Sequence, residues 1–357
     1  MDFSKAFDKV SHALLLQKLN HYGIRGKVNR WIQSFLSHRS QKVVLDGHKS
    51  ESVAVESGVP QGSVLGPSLF LYYINDLPEG LRSKVRLFAD DTIVYLTISD
   101  NSDCHRLQND LNKLADWENT WKMRFHPDKC NVLTVTRKRS PIHHPYSLHG
   151  HALQHVESAK YLGCTLTRSL DWSEHINNIA TKGNKIIGFL RRNLKINSKS
   201  TKELAYKALV RPTVEYASSV WDPHEKHLTD RLEMVQRRAA RFVTGRYHNT
   251  SSVSSMMNDL GWPTLQQRRR DARVILFYKI HHQMIYFVPS SSLQPPTRCS
   301  LRSHSAVYQT LSARSNIRKY SYIPRTIRDW NHLPQETISS ISVDTFKSSL
   351  SLVPIHQ

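Results

Sequence analysis

Lys84-Val85-Arg86-Leu87-Phe88-Ala89-Asp90-Asp91-Thr92-Ile93-Val94-Tyr95 is the stretch that decides how this chain is read. Two apolar, β-prone runs, residues 84–88 and 92–97, flank a pair of aspartates. The pattern predicts a hairpin with two adjacent carboxylates at its tip. Adjacent acids at a tight turn repel each other unless a cation neutralises them. Mg²⁺ suits that task, because it takes hard carboxylate oxygens and shares them with phosphates. An Asp-Asp turn also serves as plain hairpin punctuation, so this stretch alone leaves both readings open.

A second acidic site narrows the choice. The chain opens Met1-Asp2-Phe3-Ser4-Lys5-Ala6-Phe7-Asp8, and a glycine-bearing loop follows at Ser57-Gly58-Val59-Pro60-Gln61-Gly62-Ser63-Val64-Leu65-Gly66-Pro67. In order, these and the Asp-Asp hairpin resemble motifs A, B and C of the reverse transcriptase palm. Their wording is that of non-LTR (LINE-like) retrotransposons, near the jockey and CR1 groups. The resemblance continues through Phe125-His126-Pro127-Asp128-Lys129-Cys130 (motif D) and Tyr161-Leu162-Gly163 (motif E). It extends to Arg191-Arg192-Asn193-Leu194 and to Tyr322-Ile323-Pro324-Arg325-Thr326-Ile327-Arg328-Asp329-Trp330-Asn331, and so covers nearly the whole chain.

The resemblance implies an α+β fold, the right-hand polymerase palm, with an antiparallel sheet and helices on one face. Residues 1–170 would be the palm with partial fingers (about 10–57), residues 171–250 a helical thumb, and residues 251–357 a basic C-terminal region ending in a small appendage. The implied activity is RNA-directed DNA polymerisation on an RNA template and DNA primer, with deoxynucleoside triphosphates as substrates. Such chemistry needs two Mg²⁺ ions, or Mn²⁺ in their place, about 4 Å apart and held by carboxylates from separate strands. Asp2 and Asp90 are the implied ligands of both, with Asp91 a secondary ligand. Lys129 would protonate the leaving pyrophosphate or offset its charge; a solvated lysine is the plainer reading. Phe7 would pack under the sugar and repel a 2′-hydroxyl, or else be a core aromatic. Gln61 and Gly62 would lie along template and incoming nucleotide, where glycine lets backbone approach closely. Tyr161, Leu162 and Gly163 resemble the primer grip.

The family extends well upstream of motif A, whereas Asp2 is the second residue here. The expectation is therefore a truncated copy in which Asp2 frays and the Met1 amine adds positive charge to the site, leaving the isolated chain impaired. A catalytically inactive nucleic-acid-binding remnant is the alternative. A group II intron-like maturase shares the palm but not this motif wording.

Composition sets the bounds. The 357 residues suffice for two or three domains, and a hydrophobic content of 39% is that of a globular protein. No stretch suggests a membrane span or a secretion signal, so an intracellular protein is expected, nuclear for part of its cycle by resemblance. Cysteines 104, 130, 164 and 299 are separated singletons, which argues against a zinc site or disulfide framework. The sequon at Asn249 lacks a secretory context. Net charge is +21. Residues 1–140 carry a surplus of +5 and the remaining residues +16, which favours a polyanionic partner for the second part.

Along the chain, Asp2 is expected at the end of a short strand. A helix with Ser11 as N-cap and Leu15, Leu16 and Leu19 inside should end at Gly23. Residues 28–36 read as a helix, and residues 41–56 alternate around an Asp46-Gly47 turn. Pro67 opens a helix through Asn75. Residues 102–121 form an amphipathic helix, and strands at 131–136 and 160–165 complete the sheet. Beyond Trp172 the pattern is helical. Ile176, Ile179, Ile186, Ile187 and Leu190 mark one helix, and a capping box at 200–203 opens another. Leu228, Leu232, Val235, Ala239 and Phe242 mark a third, closed at Gly245. Arg237, Arg238, Arg241 and Arg246 would face either a phosphate backbone or solvent. Thr264 caps a helix containing Arg268-Arg269-Arg270, and residues 290–298 read as a linker. The histidines at 143, 144, 149, 151 and 155 show no metal-ligand spacing and read as surface residues.

Overall fold

A computed structural model describes residues 1–248, 250–285, 293–296 and 303–353. The sequon residue Asn249, Cys299 and most of the expected linker at 290–298 lie outside the described residues. The chain divides into two compact units, Met1–Gly163 and Cys164–Gln357.

In the first unit, α1 (His12–His21) and α2 (Gly26–Leu36) are joined by a turn in which Gly23 takes φ +89°. Leu15 and Leu19 are buried, as their spacing requires. Two exposed ribbons follow: β1 (Arg39–Gln41) pairs with β4 (Val53–Val55), and β2 (Val44–Leu45) with β3 (His48–Lys49) around Asp46-Gly47. Next come α3 (Leu65–Ile74) and the hairpin of β5 (Lys84–Phe88) and β6 (Asp91–Tyr95). α4 (Asn101–Trp121) starts at Asp100, whose carboxylate accepts from the amides of Ser102 and Asp103. The unit closes with β7 (Asn131–Leu133), β8 (Ser147–Leu148), β9 (His151–Ala152), β10 (Gln154–Val156) and β11 (Ser158–Tyr161). One hydrophobic cluster, from Phe3 to Leu153, fills the unit.

The strands make small two-stranded sheets in place of the single antiparallel sheet expected. β7 pairs with β10, and does so in parallel. The strand expected before Asp2 is reduced to one antiparallel bridge between Phe3 and Phe125. The single strand expected at 160–165 is broken, because Leu162 and Gly163 adopt φ +45° and +81° and reverse the chain.

The second unit opens on β12 (Cys164–Thr167) and is otherwise helical. α5 (Ser173–Asn193) buries Ile176, Ile187 and Leu190. α6 (Lys199–Ala205) runs through a π-helical turn, Tyr206–Val210, into α7 (Arg211–Glu215) and α8 (Ser218–Trp221). The cap of α6 is Ser198, which accepts from Thr201 N–H, two residues earlier than the capping box predicted. Glu203 bonds Lys207 and the Trp262 indole instead. α9 (Lys226–Thr244) packs on α5 and ends at Gly245 with φ +70°. Gly183 permits close helix approach: a Cβ there would lie 3.1 Å from Val214 and Val235. α10 (Val253–Asp259) and α11 (Leu265–His281) follow, and Thr264 caps α11 as expected. α12 (Asn316–Lys319), α13 (Tyr322–Asn331), α14 (Gln335–Ile338) and α15 (Val343–Leu350) enclose a separate cluster with α11, built on Phe277, Tyr278, Trp330 and Phe346. Among the described residues, no helix is long and apolar enough to cross a membrane.

Candidate active site

The hairpin tip is tight. Phe88 pairs with Asp91, so Ala89 and Asp90 alone make the turn, and Ala89 takes φ +51°. A left-handed residue with a Cβ costs about 1–2 kcal/mol, and such strain gathers at functional turns. The hairpin is held from α4 by Asp110, which is buried and accepts from the amides of Arg82 and Ser83 just before β5.

Residues 1–4 lie between that hairpin and the segment after α4. Met1 exchanges two hydrogen bonds with Thr92, amine to carbonyl at 2.7 Å and amide to carbonyl at 3.2 Å. On the other side, Ser4 N–H donates to Arg124 O at 2.8 Å and His126 N–H to Asp2 O at 2.9 Å. Phe3 is buried and stacked on Phe125 at 4.1 Å. Asp2 is thus tied through its neighbours on both sides, and the expected fraying is not what this geometry shows.

The electrostatics record what has been brought together. Asp91 is exposed, but partial desolvation by its surroundings raises its carboxyl above the ordinary range; Asp90 and Asp2 raise it further, and the amino terminus opposes them. Lys129 pairs with Asp2 at 3.6 Å, both side chains being partly exposed. Burial raises the Tyr161 phenol, with Asp91 adding to the effect and Arg86 opposing it. Asp2, Asp90, Asp91, Lys129 and Tyr161 therefore share one electrostatic neighbourhood. Their carboxylate donors suit a hard divalent cation, and such a cation would relieve the lesser part of the Asp91 shift, the part that comes from Asp90 and Asp2. Among the described residues, no three His, Cys, Asp or Glu side chains are gathered closely enough to hold a metal by themselves.

The glycine loop is locked to the turn after Asp2. Val59 N–H donates to Phe7 O and Gly58 N–H to Val10 O, both at 2.8 Å, and Ser57 Oγ donates to Asp8 O at 2.8 Å. His12 and Arg39 both bond Gly58 O. Gly58 has φ +84°, and a Cβ there would fall 2.7 Å from Asp8 Cα, so only glycine fits. Gln61 is exposed and bonds Asp8 at 3.3 Å, while Gly62, at φ +80°, faces open space. Phe7 stacks on Phe70 at 4.4 Å.

Sequence reasoning missed His12, Arg39 and Asp110, which are lone polar residues in helical or loop patterns. It also missed Glu118, which is buried on α4 and bonds both Phe125 N–H and His149. A charged residue on the apolar face of a helix was the one available signal for Glu118.

Residues 1–166 match the reverse transcriptase (RNA-dependent DNA polymerase) family. They are a reverse transcriptase domain. Three relatives extend the likeness beyond it. The RNA-directed DNA polymerase from mobile element jockey of Drosophila melanogaster is 30% identical over 69% of this chain and 28% of its own length. The jockey polymerase of Drosophila funebris is 27% identical over 89% of this chain and 34% of its own. The probable RNA-directed DNA polymerase from transposon BS of Drosophila melanogaster is 28% identical over 80% and 33%. The domain is of the LINE-like, non-LTR kind, and the chain spans about a third of the length of these relatives.

Proposed function

We propose that this reverse transcriptase domain is the catalytic part of an RNA-directed DNA polymerase of a mobile element, copying an RNA template onto a DNA primer by two-metal nucleotidyl transfer. The observation that carries the reading is the pair of hydrogen bonds between Met1 and Thr92, which seats Asp2 beside the hairpin whose strained tip bears Asp90 and Asp91. Asp2 and Asp90 would hold the two Mg²⁺ ions, with Asp91 as secondary ligand. The ions, when bound, supply activation of the primer 3′-hydroxyl and charge neutralisation on the triphosphate. Lys129, which pairs with Asp2 at 3.6 Å, would protonate the leaving pyrophosphate or offset its charge. Its exposed pairing with Asp2 is weak, about 0–1 kcal/mol, and yields readily.

Phe7, held flat by Phe70, would discriminate against a 2′-hydroxyl. Gln61 and Gly62 would line the path of the template and the incoming nucleotide, and Tyr161-Leu162-Gly163 the primer end. Residues 1–170 would act as palm with partial fingers, 171–250 as thumb, and 251–357 as a basic region of the same polymerase. Work on nicked chromosomal DNA would place the protein in the nucleus for part of its cycle.

Extension of oligo(dT) on poly(rA) with Mg²⁺ tests this. Incorporation abolished by Asp90→Asn is the expected result, and incorporation indifferent to that change would defeat it. A second reading, a nucleic-acid-binding remnant without chemistry, draws on the exposed Arg237 and Arg238 of α9. Salt-dependent binding of an RNA–DNA hybrid, unchanged by Asp90→Asn and without incorporation, would support it.

A further inference from the structure

One arrangement in the first unit serves neither the glycine loop nor the hairpin tip. Glu118, 1% exposed, lies in the last turn of α4. Its backbone carbonyl accepts from Lys122 and Met123 N–H. One carboxylate oxygen accepts from Phe125 N–H, and the other meets His149 Nε2 at 2.5 Å. One side chain and its carbonyl therefore shape the whole turn from 122 to 125.

His149 comes from the tip of the β8–β9 hairpin, where it takes φ +52° beside Gly150 at φ +77°. A two-residue turn of that kind favours Asn-Gly. Histidine there costs strain and gains a ring that reaches the buried carboxylate. The hairpin is itself fixed to α4 by Gln108, which bonds both the amide and the carbonyl of Ser147.

The shaped segment is the one that flanks Asp2. Arg124 O takes Ser4 N–H, and His126 N–H gives to Asp2 O, so Phe125 stands between the two bonds that fix Asp2 on this side. We propose that Glu118, braced by His149, is a positioning residue: it sets the register of the segment 124–126 and through it the placement of the Asp2 carboxylate for its cation. The inference rests on the metal-binding reading of Asp2. Residues that orient ligands from behind commonly change metal affinity by about 10–100-fold when removed.

The test uses the full chain and two readouts that need no polymerisation. Hydrogen exchange is followed in peptides covering residues 1–8 and 122–128, with β5–β6 as internal control. Mn²⁺ affinity is measured by electron paramagnetic resonance, with Asp90→Asn marking the relevant site. Glu118→Ala is expected to speed exchange in both peptides, leave β5–β6 protected, and weaken Mn²⁺ binding about tenfold. Glu118→Gln keeps an acceptor for Phe125 N–H and is expected to recover most of both. His149→Asn, which leaves Glu118 in place, is expected to lie between wild type and Glu118→Ala, and it carries the test if Glu118→Ala does not fold.

Unchanged exchange at residues 1–8, or unchanged Mn²⁺ affinity in variants whose exchange has changed, overturns the inference while leaving the metal site standing. A wild-type chain with no Mn²⁺ binding sensitive to Asp90→Asn removes the metal reading, and the inference with it.

Discussion

At Ala89 the chain holds a methyl-bearing residue in left-handed backbone to make a two-residue turn. Ala89→Gly removes that strain and should stabilise the chain by about 1 kcal/mol in urea unfolding; a loss of stability would show that the methyl group is needed for packing. Asp91 gives a prediction with a definite sign. Its carboxyl is raised by partial desolvation first, then by Asp90 and Asp2, so the protonated form suits the fold better. Below the unfolded value near 3.8 both states are protonated and nothing is lost. As pH climbs from there through the folded value, stability falls, and the penalty is complete above it. Asp91→Asn should therefore raise Tm at pH 7 without divalent ions, by about 1–3 °C given the screening at an exposed site. The gain should vanish near pH 3, and a rise of equal size at both pH values would contradict the assignment.

Among the elements, α11 shows why positive charge is a poor guide to nucleic-acid contact. Arg269 and Arg273 are buried on it and converge on Asp222, joined by Arg325 from α13. Arg268 pairs with Glu215. Three guanidiniums share Asp222, and Arg273 also pairs with Asp329. Asp222→Asn should cost about 3–5 kcal/mol, chiefly by leaving the buried Arg269 without its carboxylate, and denaturation showing less than about 1 kcal/mol would mean that it finds another partner. Arg237 and Arg238 on α9 are exposed, and the double alanine variant should lower the salt slope of hybrid binding by about 1–2. An unchanged slope would assign that face to solvent alone. The helices were legible in the sequence because their signals are local: Gly23, Thr264 and Gly245 mark ends where a cap or left-handed turns occur, and Ser11 stands at the start of α1 though its side chain makes no cap bond. The hairpin at Asp90 was legible for the same reason. The pairing of β7 with β10 and the clamp on Gly58 were not, because they depend on partners tens of residues away. The destination of the α11 arginines failed to show because a run of basic residues looks the same whether its acids lie across the core or its phosphates lie outside.

Over the whole molecule, the surplus of +21 divides into arginines consumed inside the helical unit and lysines and arginines left on its faces. Among the acids of the first unit, Asp2 and Asp90 lie near enough to Asp91 at the strained hairpin to raise its carboxyl. That division would suit the proposed polymerase, with cations drawn to one place and polyanion to another. The central claim is that the carboxylates at positions 2 and 90 act together on a pair of divalent ions. The most direct measurement is Mn²⁺ binding by electron paramagnetic resonance in the presence of an RNA–DNA hybrid and a non-hydrolysable deoxynucleoside triphosphate. The account predicts a spin-coupled pair of ions that disappears in both Asp2→Asn and Asp90→Asn. Uncoupled ions bound equally by wild type and both variants would contradict it.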